Sequence, residues 1–397
     1  MKALRSILII AVAILGFQCG EDPVDPPPPP PEPENQPPGG FTAAVEINKN
    51  TAELSWTASA DPDGDNITYS IFLEDSLVTE QTETSLALTD LVFERDYQGK
   101  IIADDGNGHE VETTFNFTTG FLWLAFYEFN NGAGDGYAYS YDDQELLITT
   151  TRSSTNEPKN ITYDSNGKLF GMGNMTYTHN ANGLLTTISD GTGKGDLELL
   201  YDDQDRLNKV NITRTNNNNY IGNVTMTFNY DGIGNLATID YRRSYTSDNS
   251  NGTVKSFNRR HYVYDNAGNV TEFRLENSTD GITYEESIKE LFTYDFDHKD
   301  PWHALLTRQL GISSGVYFGI RFEFDPQSAV QYNIEGYNMR FIKSEHALIG
   351  HKIFSGGDLI LEYTREYNYN ESGYPVSGKT IVGTSEWFPK WTYSGDQ

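Results

Sequence analysis

The chain has 397 residues, of which 13% are aromatic, including 25 Tyr and 21 Phe. This composition excludes a disordered chain and favours β-strands. Lys and Arg total 28 against 57 Asp and Glu, so the formal net charge is -29 and a nucleic-acid partner is not expected.

The N-terminus has the order of a secretory signal: a basic start, an apolar run and then a cysteine. Lys2 and Arg5 precede the apolar run 7–15, which is too short to span a membrane permanently. Cys19 is the single cysteine, so no internal disulfide can form. The order resembles a bacterial lipoprotein signal, in which a peptidase cuts before the cysteine and the thiol carries diacylglycerol. This resemblance implies a signal peptide over 1–18 and a lipidated Cys19.

The residues that flank this cysteine extend the resemblance to lipoproteins of the Bacteroidetes. Gly16 and Gln18 stand where the usual box has Leu and a small residue, and relaxed boxes of this kind are similar to those of Bacteroidetes lipoproteins. Glu21, Asp22 and Asp25 resemble the short acidic signal that sends such lipoproteins to the outer face of the cell. The resemblance implies a lipid-anchored, surface-exposed protein of the bacterial outer membrane. An ordinary secretory peptide with an incidental cysteine stays open as the alternative.

A proline-rich spacer follows the cysteine. Residues 23–40 read PVDPPPPPPEPENQPPGG, and consecutive prolines favour polyproline II at about 3 Å per residue. We therefore predict that residues 19–40 form a lipid anchor and a semi-rigid linker, which holds the folded part away from the membrane.

Residues 41–119 contain short alternating segments separated by turn clusters, which is typical of a β-sandwich. Trp56 lies where strand B of a fibronectin type III domain carries its core tryptophan. Leu91 and Tyr97 lie where that family carries a leucine and a tyrosine near strand F. The segment therefore resembles a fibronectin type III domain, and its lack of cysteine argues against a disulfide-bonded immunoglobulin domain.

Two loops of such a domain, B–C and F–G, lie at the same end of the sandwich. Their acidic and amide residues are Asp61, Asp63 and Asp65 in the first loop and Asp104, Asp105 and Asn107 in the second. Calcium takes six to eight oxygen ligands. One hypothesis is therefore a calcium site at this tip, formed by Asp61, Asp63, Asp65 and Asp105. The other hypothesis is a solvated turn, and no further cofactor is predicted.

From residue 120 to 397 a tyrosine-led turn recurs, as in YDSNGKL from Tyr163 and YDNAGNV from Tyr264. Its copies begin at positions 141, 163, 177, 201, 230 and 264 and, in weaker form, at 294 and 369. The copies resemble the YD repeats of Rhs and teneurin-like proteins, and more closely the YD-repeat lipoproteins of Bacteroidetes. Their spacing varies, so a strict solenoid is not expected.

The chemistry of this motif predicts antiparallel hairpins. Asn-Gly and Gly-Asn pairs tolerate the positive φ of tight turns, and the Asp after Tyr can accept backbone N–H groups. Tyr262 and Tyr264 share one face of their strand. Chain reversals are expected at 166–167, 182–183, 234–235 and 268–269. The predicted fold is all-β: a fibronectin type III-like sandwich followed by a large antiparallel curled sheet or part-barrel, rather than a closed shell.

No motif predicts a catalytic centre. The GISSG segment at 311–315 fits G-x-S-x-G, but its surroundings lack the strand-to-helix turn that would expose Ser313 or Ser314 as a nucleophile. The histidine pairs 298/303 and 346/351 are five residues apart, which places each pair on opposite faces of a strand and makes a poor metal site. We predict that the protein is not an enzyme.

The sequence therefore predicts a cell-surface lipoprotein with a non-catalytic binding or adhesion role toward glycan or protein. Glycan is the preferred candidate ligand, because sugar rings can stack on the aromatic side chains of a sheet face. Two alternatives stay open. One is a carbohydrate-active accessory or weak glycoside hydrolase whose carboxylate pair the spacing does not single out, and the other is a structural envelope or secretion component.

Overall fold

The computed structural model describes residues 34–128, 135–173, 175–189, 195–215, 221–246, 253–304, 316–319, 329–334, 337–342, 344 and 346–394. The regular secondary structure of the described residues is β-strand apart from one four-residue helix, and the strands form a sandwich followed by a closed barrel.

The first seven strands form the sandwich. They are β1 (Ala43–Asn48), β2 (Thr51–Trp56), β3 (Thr68–Leu73), β4 (Ser76–Gln81), β5 (Ser85–Leu88), β6 (Asp96–Asp104) and β7 (Glu110–Thr118). One sheet has the order β1-β2-β5 and the other β4-β3-β6-β7. On β2 the residues Ala52, Leu54 and Trp56 are buried and those between them face outward, because side chains alternate across a strand.

The core of the sandwich contains the three residues on which the resemblance to a fibronectin type III domain rests. Trp56, Leu91 and Tyr97 are all buried. Trp56 packs edge-on against Tyr69 with ring centroids 5.5 Å apart. The Tyr97 hydroxyl accepts the Val92 backbone N–H at 2.9 Å, so the polar end of this buried ring is satisfied.

The remaining elements follow in chain order. From residue 124 to 201 they are β8 (Leu124–Glu128), β9 (Gly136–Tyr141), β10 (Leu147–Arg152), β11 (Pro158–Tyr163), β12 (Leu169–Met172), β13 (Met175–His179), β14 (Leu185–Ser189) and β15 (Gly195–Tyr201). From residue 207 to 304 they are β16 (Leu207–Thr215), β17 (Ile221–Tyr230), β18 (Leu236–Thr246), β19 (Thr253–Tyr264), β20 (Val270–Ser278), β21 (Glu285–Lys299) and α1 (Pro301–Ala304). The last elements are β22 (Val316–Gly319), β23 (Ala329–Ile334), β24 (Tyr337–Ile342), β25 (His346–Ser355), β26 (Asp358–Tyr369), β27 (Pro375–Val382), β28 (Ser385–Trp387) and β29 (Lys390–Tyr393).

The barrel is a ring of antiparallel hairpins. Strands β8 to β21 pair in chain order, β21 pairs with β25, and the order then continues to β27. Strand β29 pairs with β27 on one side and with β8 on the other, which closes a ring of 18 strands among the described residues. Strand β28 pairs with β27 beside this ring, and β22, β24 and β23 form a separate sheet.

One turn geometry recurs at one rim of the barrel. At Asp164 the backbone N–H donates to the Lys168 carbonyl at 2.8 Å, and Oδ1 accepts the N–H groups of Asn166 and Lys168 at 2.8 and 2.9 Å. The N–H groups of Lys168 and Asn166 lower the pKa of the Asp164 carboxyl. Gly167 has φ +73°, which only glycine adopts readily. The same carboxylate or amide bonds recur in the turns that begin at positions 142, 180, 202, 231, 265 and, in part, 370.

The expected chain reversals are confirmed, but one repeat is shifted relative to the sequence prediction. The turn assigned to a repeat that begins at Tyr177 starts at Asn180, so His179 occupies the position that tyrosine holds in the other copies. Tyr177 instead lies on the buried face, opposite Ile188. The two positions are two residues apart, so side-chain alternation puts both on the same face and could not separate them.

The wall of the barrel is apolar inside and polar outside. On β17 the side chains of Val224, Met226 and Phe228 are buried in the interior core. Thr225 and Thr227, which lie between them, face outward. Interior positions elsewhere are filled mainly by Leu, Ile, Val, Met, Phe and Tyr, together with a few buried polar side chains such as Arg260, His351 and Arg365. The described part of the interior is therefore a packed core.

The all-β class, with a fibronectin type III-like sandwich followed by a large antiparallel sheet, is confirmed. The sheet goes beyond the expected curl and closes on itself. Closure depends on the pairing of Trp391 with Tyr127 and of Thr392 with Phe126, which joins the two ends of the domain. These residues are more than 260 positions apart, and no local motif marks them as partners.

Candidate functional site

The lipidation and export residues lie outside the part of the chain that the structure describes: Cys19, Glu21, Asp22 and Asp25. Ser313 and Ser314 also lie outside it. The assignments made for these residues stay predictions.

The two acidic loops of the sandwich do meet at one end. The Asn107 side-chain amide donates to Asp65 Oδ2 at 2.9 Å across the two loops. Within the first loop, Asp61 Oδ1 accepts the N–H groups of Asp63 and Asp65 at 2.8 and 3.2 Å. Asp63 also accepts the Gln36 N–H at 2.7 Å, so this tip holds the end of the proline-rich linker.

Asp105 is the most buried carboxylate of this tip. Its Oδ1 accepts the N–H groups of Asn107 and His109 at 2.7 and 3.1 Å, and its Oδ2 accepts the Asn35 amide at 2.7 Å. Burial alone would raise the pKa of the carboxyl, but these donors lower it to about 2. Asp105 is therefore ionised, and it fixes both its own loop and the incoming chain.

The carboxylates of the tip are aimed mainly at backbone N–H groups of their own loops. Among the residues that the structure describes, no group of three or more His, Cys, Asp or Glu has the arrangement of a metal site. Asp61 Oδ2 is buried and has no hydrogen-bond partner. Calcium binding by Asp61, Asp63, Asp65 and Asp105 stays a prediction.

The other end of the sandwich contacts the turn rim of the barrel through a buried carboxylate that sequence reasoning missed. Glu94 is only 5% exposed, and its Oε2 lies 3.0 Å from the Lys299 ammonium. The Tyr374 hydroxyl donates to the same carboxylate at 3.0 and 3.1 Å, and the Leu122 N–H donates at 3.3 Å. These partners come from the domain junction and from two distant parts of the barrel, so no local pattern in the sequence could identify them.

A second polar cluster lies at the same rim. The Asn269 amide donates to Asp265 Oδ2 at 2.9 Å, and its carbonyl oxygen accepts the Ser344 hydroxyl. His346 Nδ1 lies 2.9 Å from that same oxygen, and the Ser344 oxygen accepts the His346 N–H at 2.7 Å. The Ser344 hydroxyl therefore bonds to the Asn269 amide, and this bond connects the start of β25 to the turn that begins at Asp265.

The interior contains a glutamate–histidine pair between aromatic rings. Glu290 pairs in register with buried Phe273, and His351 pairs with buried Phe292, so both side chains face inward. His351 Nε2 lies 2.7 Å from Glu290 Oε2, and its ring stacks on Phe292 and Tyr363 with centroids 4.8 and 5.3 Å away. The pair forms a polar contact between neighbouring strands inside a packed core. The sequence could not reveal it, because the inward orientation of Glu290 depends on strand register.

Aromatic side chains are exposed on the β27–β28 hairpin, near the rim opposite the turns. Trp387 and Phe388 expose 46% and 43% of their surface. These two residues are adjacent in the chain, so they place two exposed aromatic side chains at one position on the outer surface.

No helix among the described residues has the length and the apolar character needed to cross a membrane.

Comparison with protein families gives one match. The model of the fibronectin type III domain matches residues 36–118. This match agrees with the two-sheet sandwich and covers the segment before the barrel. A comparison with curated proteins finds no match.

Solved structures give weaker similarities. A porin-like protein from Bacteroides vulgatus is 11% identical with a TM-score of 0.36, covering 69% of this chain and 99% of that chain. A porin-like protein from Bacteroides uniformis is 12% identical with a TM-score of 0.32, covering 68% and 98%. The Tc holotoxin pore of Photorhabdus luminescens is 12% identical with a TM-score of 0.23, covering 91% of this chain and 22% of that chain.

Proposed function

We propose that this protein is a lipid-anchored protein of the bacterial cell surface with a non-catalytic binding role, and that glycan is its first candidate ligand. The observation that carries the ligand proposal is the exposed pair Trp387 and Phe388. An aromatic face offers a flat apolar platform on which the C–H face of a sugar ring can stack. The described interior of the barrel is filled by packed side chains, which favours binding at the outer surface.

The outer wall of the barrel supports an anchored protein that stands in water. Its outward positions carry ion pairs, such as Glu272 with Arg274 and Lys289 at 2.9 Å, and Asp240 with Arg259 at 2.6 Å. We assign membrane attachment to acyl chains on Cys19, since two or three chains anchor stably.

Binding is tested with Trp387→Ala against a panel of bacterial and host polysaccharides, measured by calorimetry. We expect the affinity for a bound polysaccharide to fall at least tenfold. Phe170→Ala is the matched control, because Phe170 is an aromatic residue of similar exposure, 52%, on β12. Equal binding by the two variants and the parent protein would contradict the ligand assignment.

The anchor is tested with Cys19→Ala. This change should remove the lipid and move the protein from the detergent phase to the aqueous phase, or block its processing. Replacing Glu21, Asp22 and Asp25 with Ala should keep the lipid but reduce cleavage by protease added to whole cells. If Cys19→Ala protein still partitions into detergent, the anchor assignment fails.

Calcium at the sandwich tip is the remaining proposal, and the unpartnered Asp61 Oδ2 supports it. A bound ion would stabilise the folded state by mass action. The melting temperature of the sandwich should rise in millimolar calcium and return to its starting value with chelator. An unchanged temperature would favour the solvated turn.

A further inference from the structure

The segment that joins the sandwich to the barrel, together with one loop of the sandwich, contributes side chains to the barrel core. Phe93, from the loop between β5 and β6, is buried within the hydrophobic cluster of the barrel. Leu122 and Leu124, which follow the sandwich directly, belong to the same cluster. Separating the two parts would expose this apolar surface to water, which opposes independent motion.

A buried carboxylate adds polar contacts to this junction. Glu94 adjoins Phe93, and its carboxylate contacts the half-exposed Lys299 ammonium and the Tyr374 hydroxyl of the barrel. Lys299 also lies over the Tyr374 ring, 5.1 Å from its centroid. Separating the two parts would leave the Glu94 carboxylate without these partners, which opposes separation.

The backbone at the junction is also fixed. The Gly120 N–H donates to the Lys49 carbonyl at 2.7 Å, and the Gly120 carbonyl accepts the Glu94 N–H at 3.0 Å. A Cβ at Gly120 would lie 2.9 Å from the Lys49 Cα, so the two segments touch. Beyond the junction, the Trp123 ring N–H donates to Glu145 Oε2, at the first turn of the rim, at 3.0 Å.

The two ends of the sandwich have different partners. The end with Asp63 and Asp105 holds Asn35 and Gln36, where the proline-rich linker enters. The opposite end, reached along β1 and β7, contacts the turn rim of the barrel. We infer that the fibronectin type III domain is a fixed cap on the turn rim, which orients the barrel so that its opposite rim, with the β27–β28 hairpin, points away from the linker. This arrangement concerns the folded part alone and holds whether or not Cys19 carries lipid.

The cap is tested by electron paramagnetic resonance distance measurements on the full chain with Cys19→Ser. Spin labels are placed at Asp75→Cys in the sandwich and at Ile282→Cys, which is 84% exposed, on the far rim of the barrel. We expect one narrow distance distribution, and Glu94→Ala should broaden it. A broad distribution in the otherwise unchanged chain would overturn the inference.

Limited proteolysis provides a second readout that does not require labels. Glu94→Ala should increase the rate of cleavage between residues 119 and 123 at least tenfold. The control is Glu74→Ala, which removes an exposed ion pair with Arg95 in the same domain and should leave the rate unchanged. Equal cleavage rates in the two variants, with both folded by circular dichroism, would show that Glu94 does not hold the cap.

Discussion

The repeat tyrosines join neighbouring strands at the turn rim through their hydroxyl groups. The Tyr264 hydroxyl donates to the Leu236 carbonyl at 2.9 Å, one hairpin earlier in the chain. The same bond joins Tyr163 to Leu147, Tyr201 to Leu185, Tyr230 to Leu207, Tyr294 to Val270 and Tyr393 to Pro375. In each case the acceptor lies five residues after the first residue of the preceding turn. The tyrosine ring packs in the core, while its hydroxyl donates a hydrogen bond to a backbone carbonyl at the end of a strand pair.

We predict that Tyr264→Phe lowers the free energy of unfolding by about 1 kcal/mol, because it leaves the Leu236 carbonyl without this donor. The measurement is urea denaturation followed by tryptophan fluorescence. Tyr284→Phe is the control. This change also removes a tyrosine hydroxyl, but it keeps the ring that stacks under the Arg259 guanidinium. If the control loses as much free energy of unfolding, the effect does not come from the hydrogen bond between the Tyr264 hydroxyl and the Leu236 carbonyl.

At the scale of the element, each turn has two features: an Asp or Asn at its start and a residue with positive φ three positions later. This residue is glycine in five turns, whereas Glu145 and Asp205 hold the position in the turns that begin at 142 and 202. The turn from Asp231 to Asn235 contains two glycines that differ in this respect. Gly234 has φ +96°, whereas the φ of Gly232 lies outside the left-handed region. A Cβ added at either position would meet nothing within 4 Å, so only backbone conformation separates them.

We therefore expect Gly234→Ala to destabilise the barrel by about 1 kcal/mol and Gly232→Ala to leave it unchanged or slightly more stable. The melting temperatures of the two variants provide the comparison. Equal losses in both would show that the turn does not depend on the left-handed residue.

At the scale of the whole molecule, the buried hydroxyl groups couple the stability of the barrel to alkaline pH. Burial raises the pKa of Tyr201 and Tyr230 to about 12 and also raises the pKa of Tyr141, Tyr163, Tyr264 and Tyr294. Unfolded tyrosine titrates near pH 10, so the folded chain holds these protons more tightly than the unfolded chain. Their contribution is complete below about pH 10 and is lost as pH rises from about 10 through 12.

The free energy of unfolding should therefore fall steeply between pH 10 and 12, as measured by urea denaturation at fixed ionic strength. The slope should be smaller in Tyr264→Phe, which removes one of the titrating groups. A slope that is identical in the two proteins would exclude Tyr264 as a contributor.

The local features of this protein could be predicted from short stretches of the sequence. Asn-Gly and Gly-Asn pairs predicted the reversals, alternation predicted that Tyr262 and Tyr264 share a face, and Trp56 marked the core of the sandwich. These features depend on a few neighbouring residues, whose allowed φ angles and side-chain directions are fixed by local sterics.

Contacts between distant residues could not be predicted from the sequence and became visible in the folded chain. The pairing of β29 with β8, the contact of Glu94 with Lys299 and Tyr374, and the inward position of Glu290 all depend on strand register and closure. The position of His179 in its repeat was decided in the same way. Many acidic and aromatic residues in this chain could make such contacts. The free energy that selects among them comes from burial and hydrogen bonding across hundreds of residues, which no local pattern records.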